Sequence, residues 1–210
     1  MIIAIDGPAA SGKGTLAKRL AAHFGLPHLD TGLLYRAVAR VLVDRAIPLS
    51  DEAEAARIAG SIAPAVLDDP RLRGAAMGEA ASVVSAFPPV RDALMQFQRQ
   101  FAAQPTGAVL DGRDIGTVVC PLAEVKLFIT ASAEERARRR HLELLARDEP
   151  AEFTTILNDI RRRDERDLNR STAPLRPAED SVVLDTTDLD ADATYKAALE
   201  IVEARRRAGP

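Results

Sequence analysis

The 210-residue sequence is short of cysteine, histidine, long apolar runs and basic charge, and each shortage narrows what the chain does. Cys120 has no partner for an internal disulfide, and between Val119 and Pro121 it reads as a structural thiol rather than a nucleophile. His23, His28 and His141 lack metal-ligand spacing and read as ordinary surface or core residues. No apolar stretch is long enough to span a membrane. No basic region precedes the apolar run Ile2-Ile3-Ala4-Ile5, so no secretion signal is expected and the expected location is cytoplasmic. A net charge of −3 argues against partners that are nucleic acid polymers. Internal repeats and low-complexity tails are absent too. What remains is the composition of a soluble enzyme, expected to form a single domain over residues 1–210.

The most informative stretch is Gly7-Pro8-Ala9-Ala10-Ser11-Gly12-Lys13-Gly14-Thr15, set between that apolar run and a helical pattern. A strand, a glycine-bearing loop, a lysine and a hydroxyl at this spacing build a phosphate cradle. The glycines let successive backbone N–H groups turn inward, Lys13 reaches the outer phosphates, and a hydroxyl ligates Mg²⁺. The following helix aims its positive end at the same anion. The common pattern has Ser or Thr directly after the lysine; here Gly14 intervenes and Thr15 supplies the hydroxyl. A nucleoside triphosphate is the expected ligand.

Leu16, Leu20 and Phe24 recur at helical spacing, and Gly25 with Pro27 ends that helix. Further strands are expected at 28–29, 108–110, 125–129 and 181–184, with a helix over 33–42. Short β-rich runs alternating with helical patterns predict an α/β fold with a parallel sheet and helices on both faces. Residues 48–105 interrupt the alternation with helical patterns alone. Ser50 is placed to cap a helix whose first turn carries Asp51, Glu52 and Glu54. Val90, Leu94, Phe97 and Phe101 mark a long amphipathic helix. The stretch reads as an insertion beside the substrate site. Arg205-Arg206-Arg207 reads as a solvated helix end.

Asp111-Gly112-Arg113-Asp114 follows the 108–110 strand. A carboxylate at a strand's C-terminal end faces the crevice where open α/β sheets bind ligands, so Asp111 is a candidate for Mg²⁺, directly or through water. Arg113 offers a phosphate clamp and Asp114 a polar reader. Arg136, Arg138, Arg139 and Arg140 begin one helix; Arg163, Arg166 and Arg170 fall on one face of a second, with Asp167 on the same side. Such a face is either a salt-bridged surface or a set of bidentate clamps for phosphoryl oxygens, and beside a phosphate loop the second reading is favoured. No His/Asp arrangement supplies the general base that an alcohol acceptor wants. A phosphate-monoester acceptor needs none, because its second pKa is about 6. These features favour a kinase acting on a nucleotide. A nucleotide-binding switch, the alternative of another class, would want a guanine-reading motif such as Asn-Lys-x-Asp, which the sequence lacks.

Together these stretches resemble the bacterial cytidylate kinase family, nearly end to end. The resemblance is carried by the loop, by Asp30-Thr31-Gly32-Leu33-Leu34-Tyr35-Arg36, by Ala80-Ala81-Ser82 and by Phe87-Pro88 with Arg91. It continues through Asp111-Gly112-Arg113-Asp114-Ile115-Gly116-Thr117-Val118-Val119, Arg163-Asp164-Glu165-Arg166-Asp167-Leu168-Asn169-Arg170 and Ala173-Pro174-Leu175. It implies a P-loop kinase core with a five-stranded parallel sheet, a short helical lid at about 136–160, and a nucleotide-monophosphate-binding insertion at about 48–105. ATP would be the phosphoryl donor, with Mg²⁺, and CMP or dCMP the acceptor; a UMP or AMP kinase is the nearest alternative. Lys13, Arg113 and Arg170 would be catalytic. Arg139 and Arg140, from the lid, would join the loop on ATP, while Thr15 and Asp111 would serve the metal. Ser82, Arg91 and Asp114 would read the cytosine, and Arg163 and Asp167 would hold the sugar. Arg36, Arg113 and Arg170 would grip the acceptor phosphate in a pocket lined by Thr31 and Tyr35. The chain departs from the family in having Thr31 where many relatives have Ser, and in a shorter insertion that lacks an additional strand-forming segment. A monomer is expected.

Overall fold

The computed structural model of the chain describes residues 1–208, in which five strands alternate with helices. The strands are Ile2–Asp6 (β1), His28–Asp30 (β2), Ala108–Gly112 (β3), Val125–Thr130 (β4) and Val182–Asp185 (β5). All pairings are parallel, in the order β2-β3-β1-β4-β5. Parallel strands covered on both faces read as continuous apolar runs. Central β1 does so: Ile3 and Ile5 are buried on one face, and Ala4 on the other.

The helices are Lys13–Phe24 (α1), Thr31–Asp44 (α2), Glu52–Ala59 (α3), Ala75–Val84 (α4), Pro88–Ala102 (α5), Ala133–Leu145 (α6), Phe153–Asn169 (α7) and Ala191–Ala208 (α8). α1 and α8 cover one face of the sheet, where Leu16, Leu20 and Val202 meet Ile3, Ile5, Leu127 and Ile129. The helices between β2 and β3 cover the other, where Leu34, Val38, Val84 and Leu94 meet Ala4 and Leu110. Each such Leu, Ile or Val side chain contributes about 1.5–3 kcal/mol on full burial, which holds both layers against the sheet.

Residues 48–105 form helices and two short 3₁₀ turns, at Pro64–Asp68 and Pro70–Leu72, as the helical patterns anticipate. Their apolar faces belong to the same cluster as α2 and β3, so this stretch is continuous with the core. The α3 cap is Asp51 rather than Ser50: the Asp51 carboxylate accepts from the Glu54 N–H at 3.0 Å. A carboxylate caps well and suits the positive helix end, which displaces the start by one residue. α6 and α7 pack on each other around a small separate core of Ala137, Leu144, Ile156 and Ile160. No helix among the described residues is long and apolar enough to cross a membrane.

In open α/β sheets ligands bind outside the carboxyl ends of the strands, where the strand order reverses. That edge carries Asp6, Asp30 and Asp111 on neighbouring strands, with Asp30 and Asp111 directly paired in register.

Candidate active site

The loop between β1 and α1 is shaped by close backbone approach. A Cβ on Gly7 would lie 2.0 Å from the Ile129 carbonyl oxygen, so only glycine fits. Gly12 sits at φ +84°, and Ala10 holds a left-handed φ of +59°, which costs a non-glycine residue about 1–2 kcal/mol. Lys13 begins α1, and its buried ammonium donates to the Pro8 carbonyl at 3.1 Å. Its pKa is lowered to about 7, by burial first and by Arg113 next, with Asp111 and Asp30 opposing.

The loop separates two cavities. The inner one, about 270 Å³, is lined by Lys13, Gly14, Asp30, Thr31, Tyr35, Arg36, Ser82, Arg91, Asp111, Arg113, Asp114, Arg163, Asp167 and Arg170 among others. The structure therefore brings together every residue expected to touch the acceptor. The outer cavity, about 480 Å³, is lined by Ser11, Gly12, Thr15, Arg19, Arg139, Leu189 and Asp190 among others. Ala10, Arg140 and Glu143 line both.

Thr15 lines the outer cavity and Asp111 the inner one. Successive helical residues point about 100° apart, so the inserted glycine gives Gly14 and Thr15 different directions. Gly14 takes the facing position: a Cβ there would stand 3.7 Å from Asp111 Oδ2. Beside Asp111 on the adjacent strand stands Asp30, whose carboxyl is pushed up by burial and by the Asp111 charge. Asp30 also caps α2 by accepting from the Gly32 N–H at 2.9 Å. Two abutting strand-end carboxylates beside a phosphate loop fit Mg²⁺, which takes one or two carboxylates and completes its shell with water and phosphate oxygens.

The cations of the inner cavity are crowded. Arg36, Arg163 and Arg170 all have lowered pKa values, Arg163 to about 10; burial leads in each case and neighbouring cations add to it. Arg163 Nε and Arg170 Nη2 are buried without a hydrogen-bond partner. Gly78 lets this crowding happen, since a Cβ there would come within 3.3 Å of Arg163 and 3.5 Å of Arg36. Against these stand two acidic partners. Asp167 accepts from Arg113 Nε at 2.8 Å, and the Asp114 carboxylate is paired with Arg91. Arg91 also donates to the Ser85 carbonyl at 3.2 Å and lies 5.6 Å from the Tyr35 ring centroid. Arg170 lies just beyond the end of α7, donates to the Ala173 carbonyl at 2.6 Å and stands 3.9 Å from Asp114. Thr31 donates to the Asp111 carbonyl at 2.9 Å.

Behind the cavity Asp6 accepts from the N–H groups of Ile115 and Gly116, both at 2.8 Å. This fixes a π-helical turn, Ile115–Val119, immediately after Arg113 and Asp114. Such turns are rare and recur at functional sites. Burial pushes the Asp6 carboxyl up to about 6, against the pull of those two hydrogen bonds.

Several roles escaped the sequence reading. His28, read as ordinary, bonds through Nε2 to Asp111 Oδ1 at 2.7 Å. Arg136, grouped with the lid arginines, is buried and bound to the Ala9 and Ala131 carbonyls and to Asp164, so it anchors α6. Arg139 lines the outer cavity, but its guanidinium donates to Glu135, Thr186 and Leu189. Arg140 is paired with Glu143 at 2.7 Å. Arg166 reaches Ser82. None of these partners lies at a helical spacing that a sequence pattern reveals, apart from Arg139 with Glu135 and Arg140 with Glu143.

The family model described as cytidylate kinase matches residues 3–204. A cytidylate kinase of Rhodopseudomonas palustris (strain TIE-1) is 63% identical over 206 residues, covering 98% of this chain and 97% of that protein. A cytidylate kinase of Methylocella silvestris is 63% identical over 204 residues, covering 97% and 94%. The solved structure of an uncharacterized protein from Eubacterium ventriosum ATCC 27560 shares the fold, with a TM-score of 0.58 at 16% identity, covering 97% of this chain and 98% of that one.

Proposed function

The chain belongs to the cytidylate kinase family, and from that membership we propose that it transfers the terminal phosphoryl group of ATP to CMP or dCMP, the residues of the two cavities dividing the work. The observation that carries the assignment is the pair of cavities meeting at the phosphate loop, the inner one ringed by buried, mutually repelling cations.

ATP lies with its nucleoside toward the outer cavity, past Thr15 and Arg139, and its phosphates over the residues from Gly7 to Gly14, with Arg140 at the junction. CMP fills the inner cavity. Its phosphate is largely dianionic at neutral pH and needs no base to attack. Its difficulty is repulsion from the donor, which Arg36, Arg113 and Arg170 relieve. Lys13, Arg113 and Arg170 then stabilise the charge spread over the transferring group. Mg²⁺ held by Asp30 and Asp111, directly or through water, would neutralise donor phosphate charge. Asp114 accepts from the cytosine amino group, Arg91 orients Asp114 and faces the ring acceptors, and Ser82 completes the set. Arg163 and Asp167 lie along the sugar, with Thr31 and Tyr35 as walls. We read the protein as a monomeric cytoplasmic enzyme.

Calorimetric titration tests this assignment: CMP binds the ligand-free protein, and AMP or UMP binds more weakly. Tighter binding of either would move the assignment to that nucleotide.

Lys13 makes a second expectation. Its pKa is about 7 without ligand, and donor phosphates favour its charged form. At about pH 8 ATP binding therefore takes up close to one proton, because a mostly neutral amine becomes an ammonium. Titrations in buffers of different ionisation enthalpy read this directly. Uptake equal in wild type and Lys13→Met would place the proton elsewhere.

The lid takes a narrower form than 136–160. Arg136 ties the start of α6 to the phosphate loop, so closure belongs to Arg140 and the polar turn that follows, up to Phe153. Closure excludes water and limits wasteful hydrolysis. Hydrogen exchange across 140–152 slows when a bisubstrate analogue binds, while amides around Arg136 are protected throughout. Unchanged exchange in 140–152 would make the segment static.

A further inference from the structure

We propose that Arg166, clamped by Glu79, is a specificity-determining positioning residue that fixes the Ser82 hydroxyl as a hydrogen-bond donor toward the acceptor edge of the pyrimidine. The inference rests on the assignment of the inner cavity to CMP.

Glu79 and Ser82 are three residues apart on α4, so they share the helix face turned toward α7. Arg166 spans the gap between the two helices. Its Nη1 donates to Ser82 Oγ at 2.7 Å, and its Nη2 donates to Glu79 Oε1 at 2.8 Å. The second contact sets the plane of the guanidinium, and Arg162 approaches the same carboxylate oxygen at 3.7 Å. Burial works against the Glu79 charge, yet the bond from Arg166 and its charge hold that carboxyl below its ordinary pKa. The clamp is therefore a charged pair with a defined geometry.

The consequence falls on Ser82, which is buried and lines the inner cavity. A serine hydroxyl has one proton and two lone pairs. With one lone pair occupied by a guanidinium N–H, the proton points away from Arg166. The adjacent positive charge also makes the hydroxyl a stronger donor and a poorer acceptor. An acceptor atom is then favoured opposite Ser82. Cytosine and uracil both offer an acceptor at O2, but cytosine has an acceptor at N3 where uracil carries a proton, so a Ser82 donor facing N3 favours cytosine. Arg166 need not touch the nucleotide to discriminate between them; it acts through Ser82.

The test is steady-state kinetics with CMP and UMP for wild type, Arg166→Gln and Arg166→Lys. In Arg166→Gln, kcat/KM for CMP falls about tenfold, mainly through KM, while that for UMP and the KM for ATP change little. Arg166→Lys, which keeps the charge and a donor, recovers most of the CMP/UMP ratio. In a Ser82→Ala background, Arg166→Gln has no further effect on the ratio, because the two act as one unit. Equal losses with CMP and UMP would reduce Arg166 to a strap between α4 and α7. An independent effect in the Ser82→Ala background would also overturn the proposal. A wild-type protein with no preference for CMP would instead overturn the assignment of the cavity itself.

Discussion

Lys13→Met lowers kcat by about 10²–10³, the cost of removing one preorganised stabiliser of transition-state charge. The methionine side chain occupies much the same buried space without the ammonium, so the loop keeps its packing. Folding does not suffer either. Burial and Arg113 both work against the charged amine in the ligand-free protein, and its removal relieves that conflict. The variant is thus expected to melt no lower than the parent while turning over far more slowly. KM for CMP changes little, since Lys13 serves the transferring group rather than the acceptor. Near-normal turnover in the folded variant would take Lys13 out of the chemistry.

Asp114→Asn has the largest expected effect on selectivity. One carboxylate oxygen of Asp114 is engaged by Arg91, and the other stands 3.9 Å from Arg170, so the group sits fixed between two cations. From there it accepts the cytosine amino proton, whereas uracil sets its O4 against the carboxylate. The asparagine keeps the shape, loses the charge, and can turn an N–H toward O4. Each mismatched buried polar contact costs roughly 1–3 kcal/mol, so kcat/KM for CMP falls by about tenfold to a hundredfold and the CMP/UMP ratio narrows at least tenfold. Some stability is lost as well, because Arg91 remains buried with its charge unpaired. The ratio separates the two effects: a loss of stability alone lowers both substrates together. An unchanged ratio would remove Asp114 as the base reader.

The fold was legible because its strands are short apolar runs and its helices are periodic. The alternation of the two gave the parallel sheet and its covering helices, and the purely helical character of 48–105 was equally plain. The contents of the inner cavity are legible through motif resemblance, and spacing alone puts Arg163, Arg166 and Arg170 on one helical face with Asp167 on the same side, although Arg166 turns to Glu79 and Ser82 and Arg170 lies just past the helix end. What escaped was contact between residues far apart in sequence. Nothing near Arg136 says that it reaches Ala9, and nothing near His28 says that it meets Asp111. Thr15, displaced by one helical residue, keeps its place in the motif and lines the outer cavity, which the motif alone does not say. The role of Asp30 is invisible in its motif, because its pairing with Asp111 depends on β2 lying next to β3, which strand order alone decides.

The most direct measurement is the initial rate of ADP formation from ATP and Mg²⁺ with CMP, dCMP, UMP and AMP offered separately to the same preparation. CMP and dCMP are expected to drive ADP formation, UMP to lag by at least tens-fold in kcat/KM, and AMP to give no more than background. ADP formation that is independent of the monophosphate, or faster with UMP or AMP than with CMP, would contradict the assignment of the inner cavity to a cytosine nucleotide.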